Sequence, residues 1–150
     1  MDFIIKEFEE LTAAELYAIL RLRSEVFVVE QNCVFLDMDN KDPQCRHLML
    51  WKENTLAGYT RLVPPGVSYT EPSIGRVVTS PSVRKEGAGK MIMVKSIEEI
   101  YKHYGQTSIR IGAQLYLQSF YESFGFIKSN GIYDEDGIDH IEMVKKSTIS

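Results

Sequence analysis

The sequence predicts an α/β domain of mixed α+β character, with helices flanking a central sheet, and three observations carry that prediction. Strand-like and helix-like periodicities alternate along the chain, which favours a layered α/β or α+β architecture over a helical bundle or a β-sandwich. At 150 residues the chain fits one domain, long enough to bury roughly two-thirds of the surface its unfolded form exposes. No internal repeat, low-complexity segment or linker-like composition interrupts it, so residues 1–150 read as one domain.

Residues 3–8 read as a first strand. Thr12 followed by Glu15 is a capping box, in which hydroxyl and carboxylate satisfy backbone donors left free at a helix start. Leu16, Ile19, Leu20, Arg23 and Phe27 then follow at helical spacing. After a polar loop from Asp37 to Pro43, the segments His47 to Trp51 and Leu56 to Val63 read as strands joined through Glu53-Asn54-Thr55. Pro64-Pro65-Gly66 ends the second, because prolines remove ladder donors and glycine permits a reversal. Ile74 to Thr79 is a further β-branched run stopped by Ser80-Pro81. A long helix is predicted from about Gly87 to Tyr104, with Met93, Ile97, Ile100, Tyr101 and Tyr104 on one face and Gly105 as its stop. Ile109 to Ala113 reads as a short strand, Leu115 to Phe124 as a short helix closed by Gly125, and Ile138 to Val144 as the last strand.

Composition narrows the function classes. The hydrophobic fraction of 44% and charged fraction of 25% are those of a globular chain. A formal net charge of −4 gives no broad attraction to nucleic acid phosphates or anionic lipid, so neither partner is expected. No apolar run approaches the ~18 residues of a membrane span, and the N-terminus lacks the basic-then-apolar pattern of a leader. A soluble, cytoplasmic protein is the expectation. Cys33 and Cys45 stand apart from any histidine-and-cysteine metal spacing and are expected to be free thiols. Asp37, Asp39 and His47 carry groups able to ligate a metal, but Asp-x-Asp beside Asn40 and Pro43 is ordinary turn chemistry, and no metal is expected.

The segment from Ile74 to Lys90 is the most informative: a strand, a short loop, and a helix whose first turn contains Gly87 and Gly89. Backbone N–H groups at a helix start have no intrahelical partner and the macrodipole is positive there, so glycines that admit a ligand make an anion cradle. Arg84, Lys85 and Lys90 would add cations. A Walker A loop needs glycine where Arg84 stands and Ser or Thr where Met91 stands; a dinucleotide fingerprint needs glycine where Lys85 stands. Both fail. A glycine-rich helix start without a ligand stays open at this point.

Arg84-Lys-Glu-Gly87-Ala88-Gly89 resembles the Arg/Gln-x-x-Gly-x-Gly/Ala motif with which GNAT acetyltransferases hold the coenzyme A pyrophosphate. Downstream, the segment from Ala113 to Phe126 resembles the family's short helix bearing a Tyr that faces the coenzyme A sulfur, here Tyr121. Gln114 stands where the family commonly has Asn. A narrower resemblance, to ElaA-type GNAT proteins, spans nearly the whole chain through residues 23–33, Asp37-Met-Asp39 with His47, and Tyr133 to Ile141. It implies a bent mixed sheet whose central parallel strands splay around coenzyme A, with Val77 and Val78 giving backbone contacts to the pantetheine. Arg84, Lys85, Gly87, Ala88, Gly89 and Lys90 would surround the pyrophosphate.

The function so implied is direct acetyl transfer from acetyl-coenzyme A to a primary amine, small molecule or peptide, with Tyr121 protonating the leaving thiolate and a backbone N–H holding the oxyanion. Neither cysteine has a base beside it in the sequence, which argues against a covalent intermediate. Glu30, Glu71 and His47 are candidate bases by residue type alone. Glu25, Glu30 and Asp134 to Asp136 read as solvated charges, or as an acidic patch suited to a cationic amine. A homodimer is left open, as is a non-catalytic acyl-coenzyme A-binding module.

Overall fold

In the computed structural model, which describes residues 1–147, the chain begins with strand β1 (Asp2–Glu7). The capping box then closes as expected: Thr12 N donates to Glu15 Oε1 at 2.8 Å and Glu15 N to Thr12 Oγ1 at 3.1 Å. They start helix α1 (Ala13–Arg23), which widens into a π-helical segment over Ser24–Glu30. The buried stripe falls on Ile19, Leu22, Arg23 and Val26. It is therefore turned slightly from the Leu16, Leu20 and Phe27 line that spacing alone suggested.

Strands β2 (Arg46–Lys52), β3 (Thr55–Val63) and β4 (Ser73–Thr79) complete an antiparallel sheet in the order β1-β2-β3-β4. Helix α1 and its π-helical continuation cover one face of it, packing Ile19, Leu22 and Val26 on Met49, Leu56 and Tyr59. Helix α2 (Ala88–Tyr104) covers the other, with Ile92 set against Leu48, Leu50 and Ala57. Gly58 permits that approach, since a Cβ there would lie 3.0 Å from Ile92 Cγ2.

Strand β5 (Ile109–Gln114) follows, then a 3-10 turn over Leu115–Leu117 and the short helix α3 (Gln118–Glu122). The helix expected from Leu115 to Phe124 thus resolves into two short pieces. Strands β6 (Ile127–Glu135) and β7 (Ile138–Lys145) form a hairpin, and the second sheet has the order β5-β7-β6. β6 has no counterpart among the strands expected from sequence, because its residues are almost all exposed and show no apolar alternation.

The two sheets meet where β4 and β5 begin: Arg110 N donates to Pro72 O at 3.1 Å. No ladder joins the strands beyond that point. They set off side by side and then part, as the resemblance implied for the central pair. The largest apolar cluster ties both halves together, bringing Leu62 and Ile74 against Met93, Ile111, Phe126 and Met143. No helix among the described residues is long and apolar enough to cross a membrane.

A buried ionic network underlies the site. Arg23, fully buried, donates from Nε to Asp37 Oδ2 at 2.7 Å and from Nη1 to Asp42 Oδ1 at 2.8 Å. Arg61 binds Asp39 and Asp42, while Arg76 pairs with Asp37 and Asp39. A charge buried without a partner is strongly destabilising, so an arginine can occupy an apolar stripe only because these carboxylates meet it. The Asp37 to Pro43 loop is pinned to α1, β3 and β4 through them.

Candidate functional site

A cleft of about 840 Å³ opens where β4 and β5 separate. Its β4 wall is irregular. Gly75 pairs with Arg61 and Val78 with Tyr59, so Arg76 and Val77 together face the single residue Thr60. This is a β-bulge, which takes one residue out of the ladder and re-aims the strand. Arg76 carries the bend at φ 49°, with its guanidinium 5.8 Å from the Phe35 ring centre. Val77 and Val78 both line the cleft, and their side chains pack into the apolar clusters behind it.

Beyond β4, Ser80 and a 3-10 turn over Pro81–Val83 lead to the start of α2. Gly87 sits at φ 79°, a conformation glycine adopts without strain, and no side chain caps the helix behind it. Its first-turn N–H groups therefore lack a side-chain acceptor. Gly89 faces the cleft, and a Cβ there would stand 3.7 Å from Phe120 Cζ and 4.0 Å from Thr79 Cγ2. Arg84 reaches across the entrance to Glu30 with two bonds, Nη1 to Oε2 at 2.8 Å and Nη2 to Oε1 at 2.5 Å. Those bonds hold the Glu30 carboxyl below its ordinary value. Glu30 is thus a paired group, not the freely solvated charge its sequence context suggested.

Val77, Val78, Arg84, Gly89, Gln114 and Tyr121 line this one cleft. Four other sequence candidates stand outside its lining. Ala88 turns its methyl into the cluster around Ile92, Lys85 is exposed at φ 77°, and Gly87 and Lys90 border a shallow hollow with Phe3 and Met91. Gln114 spans the cleft to Gln31: each amide nitrogen donates to the other's oxygen at 3.2 Å. Tyr121 is 6% exposed, edge-on to Phe120 and Phe126. Burial pushes its phenol above the ordinary value.

The base candidates separate by position. His47 is fully buried, donating from Nε2 to Asp42 O at 2.9 Å and accepting at Nδ1 from Tyr59 Oη at 2.6 Å, which commits both nitrogens. Burial lowers its proton affinity. Glu71 is forked by Arg110, and Glu30 is held by Arg84. At the far end Tyr69, Tyr133, Glu135 and His140 line the same cleft; sequence reasoning marks the Tyr133 to His140 run and its acidic residues as lying near an acceptor mouth, but gives Tyr69 and His140 no role. The run from Tyr133 to His140 stood out as a motif, but its histidine could not be singled out without knowing which face of β7 it occupies. Of the thiols, both free and buried, Cys33 touches the cleft and donates to Asp136 O at 3.1 Å. Burial pushes the Cys45 thiol up to about 11.

Comparison with known proteins identifies this architecture. The Acetyltransferase (GNAT) domain family matches residues 14–147. Protein ElaA of Escherichia coli K12 is 42% identical over 139 residues, 91% of each chain. The crystal structure of Escherichia coli ElaA superposes with a TM-score of 0.90 at 39% identity, over 97% of this chain and 99% of that one. An acyl-CoA N-acyltransferase from Pseudomonas aeruginosa gives a TM-score of 0.91 at 37% identity over the same shares. An aminoglycoside 6'-N-acetyltransferase crystallised with coenzyme A shares the fold at 17% identity, with a TM-score of 0.70 over 95% of this chain and 96% of that one. A match across nearly the whole chain, in sequence and in structure, means that this protein belongs to the GNAT acetyltransferase family and is of the ElaA type.

Proposed function

We propose that the chain is an N-acetyltransferase moving acetyl from acetyl-coenzyme A directly to a primary amine. The observation that carries this reading is the convergence of the β4 bulge, Gly89 in the first turn of α2 and Tyr121 on a single cleft. Coenzyme A is named as the ligand of the aminoglycoside enzyme, and the residues present here fit the same carrier. The glycine at 89 leaves room along the wall that a side chain would take. Arg84 supplies a planar fork suited to a pyrophosphate, with Lys85 and Lys90 near the same helix start adding positive field. Ala88 and Gly87 would contribute backbone N–H groups, the bulged backbone of Val77 and Val78 would meet a pantetheine, and Gln114 its amide or the acceptor.

Transfer requires charge stabilisation on the thioester oxygen and a proton for the departing sulfur. A backbone N–H on the bulged strand would serve the first, as a fixed dipole that costs no reorganisation at the moment of reaction. Tyr121 serves the second. Its burial keeps the phenol protonated at neutral pH, and the same surroundings raise the proton affinity of a leaving thiolate. Cys33 is in the cleft, but its thiol donates to Asp136 O, and no hydrogen bond to a basic side chain activates it among the described residues, so direct transfer is favoured over an acetyl-cysteine. Two unpaired thiols also suit a reducing, cytoplasmic setting.

Tyr121→Phe tests the assignment, because the ring still packs on Phe120 and Phe126 while the acid is gone. With acetyl-coenzyme A and a responsive amine, kcat should fall by ~10²–10⁴ with coenzyme A affinity within twofold or so. Unchanged kcat with chemistry rate-limiting would return Tyr121 to a packing role.

A further inference from the structure

We propose that His140 is the base that deprotonates the acceptor amine, and that Glu135 holds that amine beside it as a cation. The proposal rests on the amine-acceptor reading above. In β7, Ile141 and Met143 point into the apolar core, so by strand alternation His140 and Glu142 face the opposite way. His140 stands opposite Gln114 on one side and Tyr133 on the other. His140 is 8% exposed and lines the cleft that also holds Tyr121, with its ring 5.7 Å from the Tyr133 ring.

The tautomer follows from the bonds. His140 Nδ1 is 2.8 Å from Ile138 O, and a carbonyl only accepts, so Nδ1 carries the hydrogen. In the neutral ring Nε2 then offers a lone pair, and it sits 3.3 Å from Glu135 Oε2. That contact closes either with a proton on Nε2 itself, as an ion pair with Glu135, or with the ring neutral and a ligand donor beside both groups, and the base role uses the second state. A primary ammonium fits, donating one N–H to the carboxylate and another to the imidazole. Glu135 and Asp136 both line the cleft at this end, so the approach carries negative charge. Gly112, on β5 opposite Glu142, leaves room for two tyrosine hydroxyls, because a Cβ there would fall 2.8 Å from Tyr133 Oη and 3.0 Å from Tyr69 Oη.

The other groups around His140 do not compete for the role. Glu142, on the same face of β7, is bound to Arg110 at 2.6 Å, and Arg110 also holds Glu71. Tyr69 and Tyr133 are pushed upward by burial and stay protonated. Glu30 is tied to Arg84, and His47 is sealed behind the sheet. Among the described residues His140 Nε2 is bound to no backbone group, and it stands beside Glu135 in the cleft.

The proton count closes. The bound ammonium gives one proton to His140 Nε2, which passes it to water, and the freed nitrogen lone pair forms the C–N bond to the acyl carbon. As the C–S bond breaks, sulfur takes its electron pair and a proton from Tyr121. The nitrogen loses a second proton, which restores Tyr121. One proton is released overall for each amide and thiol formed.

The test uses the full chain, acetyl-coenzyme A and a panel of primary amines comprising a diamine, an arylalkylamine, an amino sugar and a dipeptide. His140→Ala should lower kcat/KM by ~10²–10⁴ and remove the acid limb of its pH profile, with coenzyme A affinity unchanged and part of the rate restored by added imidazole. Wild-type kcat/KM and pH profile in His140→Ala would overturn the assignment. Independently of turnover, amine added to the complex with coenzyme A should shift the His140 ring signals in NMR, and an unmoved ring overturns the site. Should His140→Ala fail to bind coenzyme A, Glu135→Gln, at an exposed position, decides: a tenfold or greater rise in amine KM is expected, and an unchanged KM overturns the proposal. Absence of turnover by the wild type across the panel would reject the acetyltransferase reading and this one together.

Discussion

Glu30→Gln should tighten coenzyme A binding, because Glu30 occupies the Arg84 fork that a pyrophosphate would need. Both guanidinium Nη groups are spent on this carboxylate, at 2.8 and 2.5 Å. The magnitude is bounded by exposure: each side chain is 41% accessible, and ion pairs so open to water are worth at most about 1 kcal/mol. That is a factor of roughly five in Kd. Glutamine keeps the shape and one acceptor oxygen but removes the charge, so the gain should be most of that factor. Calorimetric titration with coenzyme A at low salt reads it directly, and the gain should shrink toward 1 M salt, where screening acts over about 3 Å. In an Arg84→Ala background the same change should do nothing, since the pair no longer exists. Equal or weaker binding by Glu30→Gln at low salt would refute the idea that the two anions compete for one guanidinium.

Two further outcomes follow from the geometry. Gly89→Val should abolish measurable coenzyme A binding while thermal unfolding shows the fold retained: the added Cβ makes ordinary contact with Phe120 at 3.7 Å, but the branched methyls fill the ligand's path. Acid should destabilise the protein in two stages, and a denaturant midpoint followed from pH 8 to pH 2 reads both. Burial depresses His47. Burial opposes ionisation of Asp39 and Asp42, but Arg61 outweighs it at Asp39 and Arg23 with Arg61 at Asp42, holding both carboxyls low. In every case the unfolded chain binds the proton more readily, so stability is lost as pH falls, first below about 6.5 and then below about 3.9. A midpoint that rises on acidification through either range would contradict the signs.

Local chemistry was the legible part of the sequence. The Thr12–Glu15 box, the prolines ending β3 and the Gly87 and Gly105 flanks of α2 each act within a few residues, and each bounds its element in the structure. Long-range pairing was not legible. Glu30 and Arg84 lie 54 positions apart, and nothing local distinguishes a paired carboxylate from a solvated one. Arg23 could be placed on the apolar stripe, but its partners come from a loop that reads as turn residues. β6 escaped because an exposed edge strand carries no buried face to imprint alternation, although Asp136-Gly137, a strong hairpin turn signal, marked its end. His140 stayed hidden for the same reason: its orientation is set by pairing with β5 and β6, and only that register aims it at the cleft.

Supplying the purified chain with acetyl-coenzyme A and the amine panel, while following thiol release and N-acetylated amine together, tests the central claim most directly. The account predicts that thiol and N-acetyl product appear one for one, with no acetyl group retained on the protein by mass spectrometry. Coenzyme A binding without product across the panel, or acetyl trapped on Cys33, would contradict it.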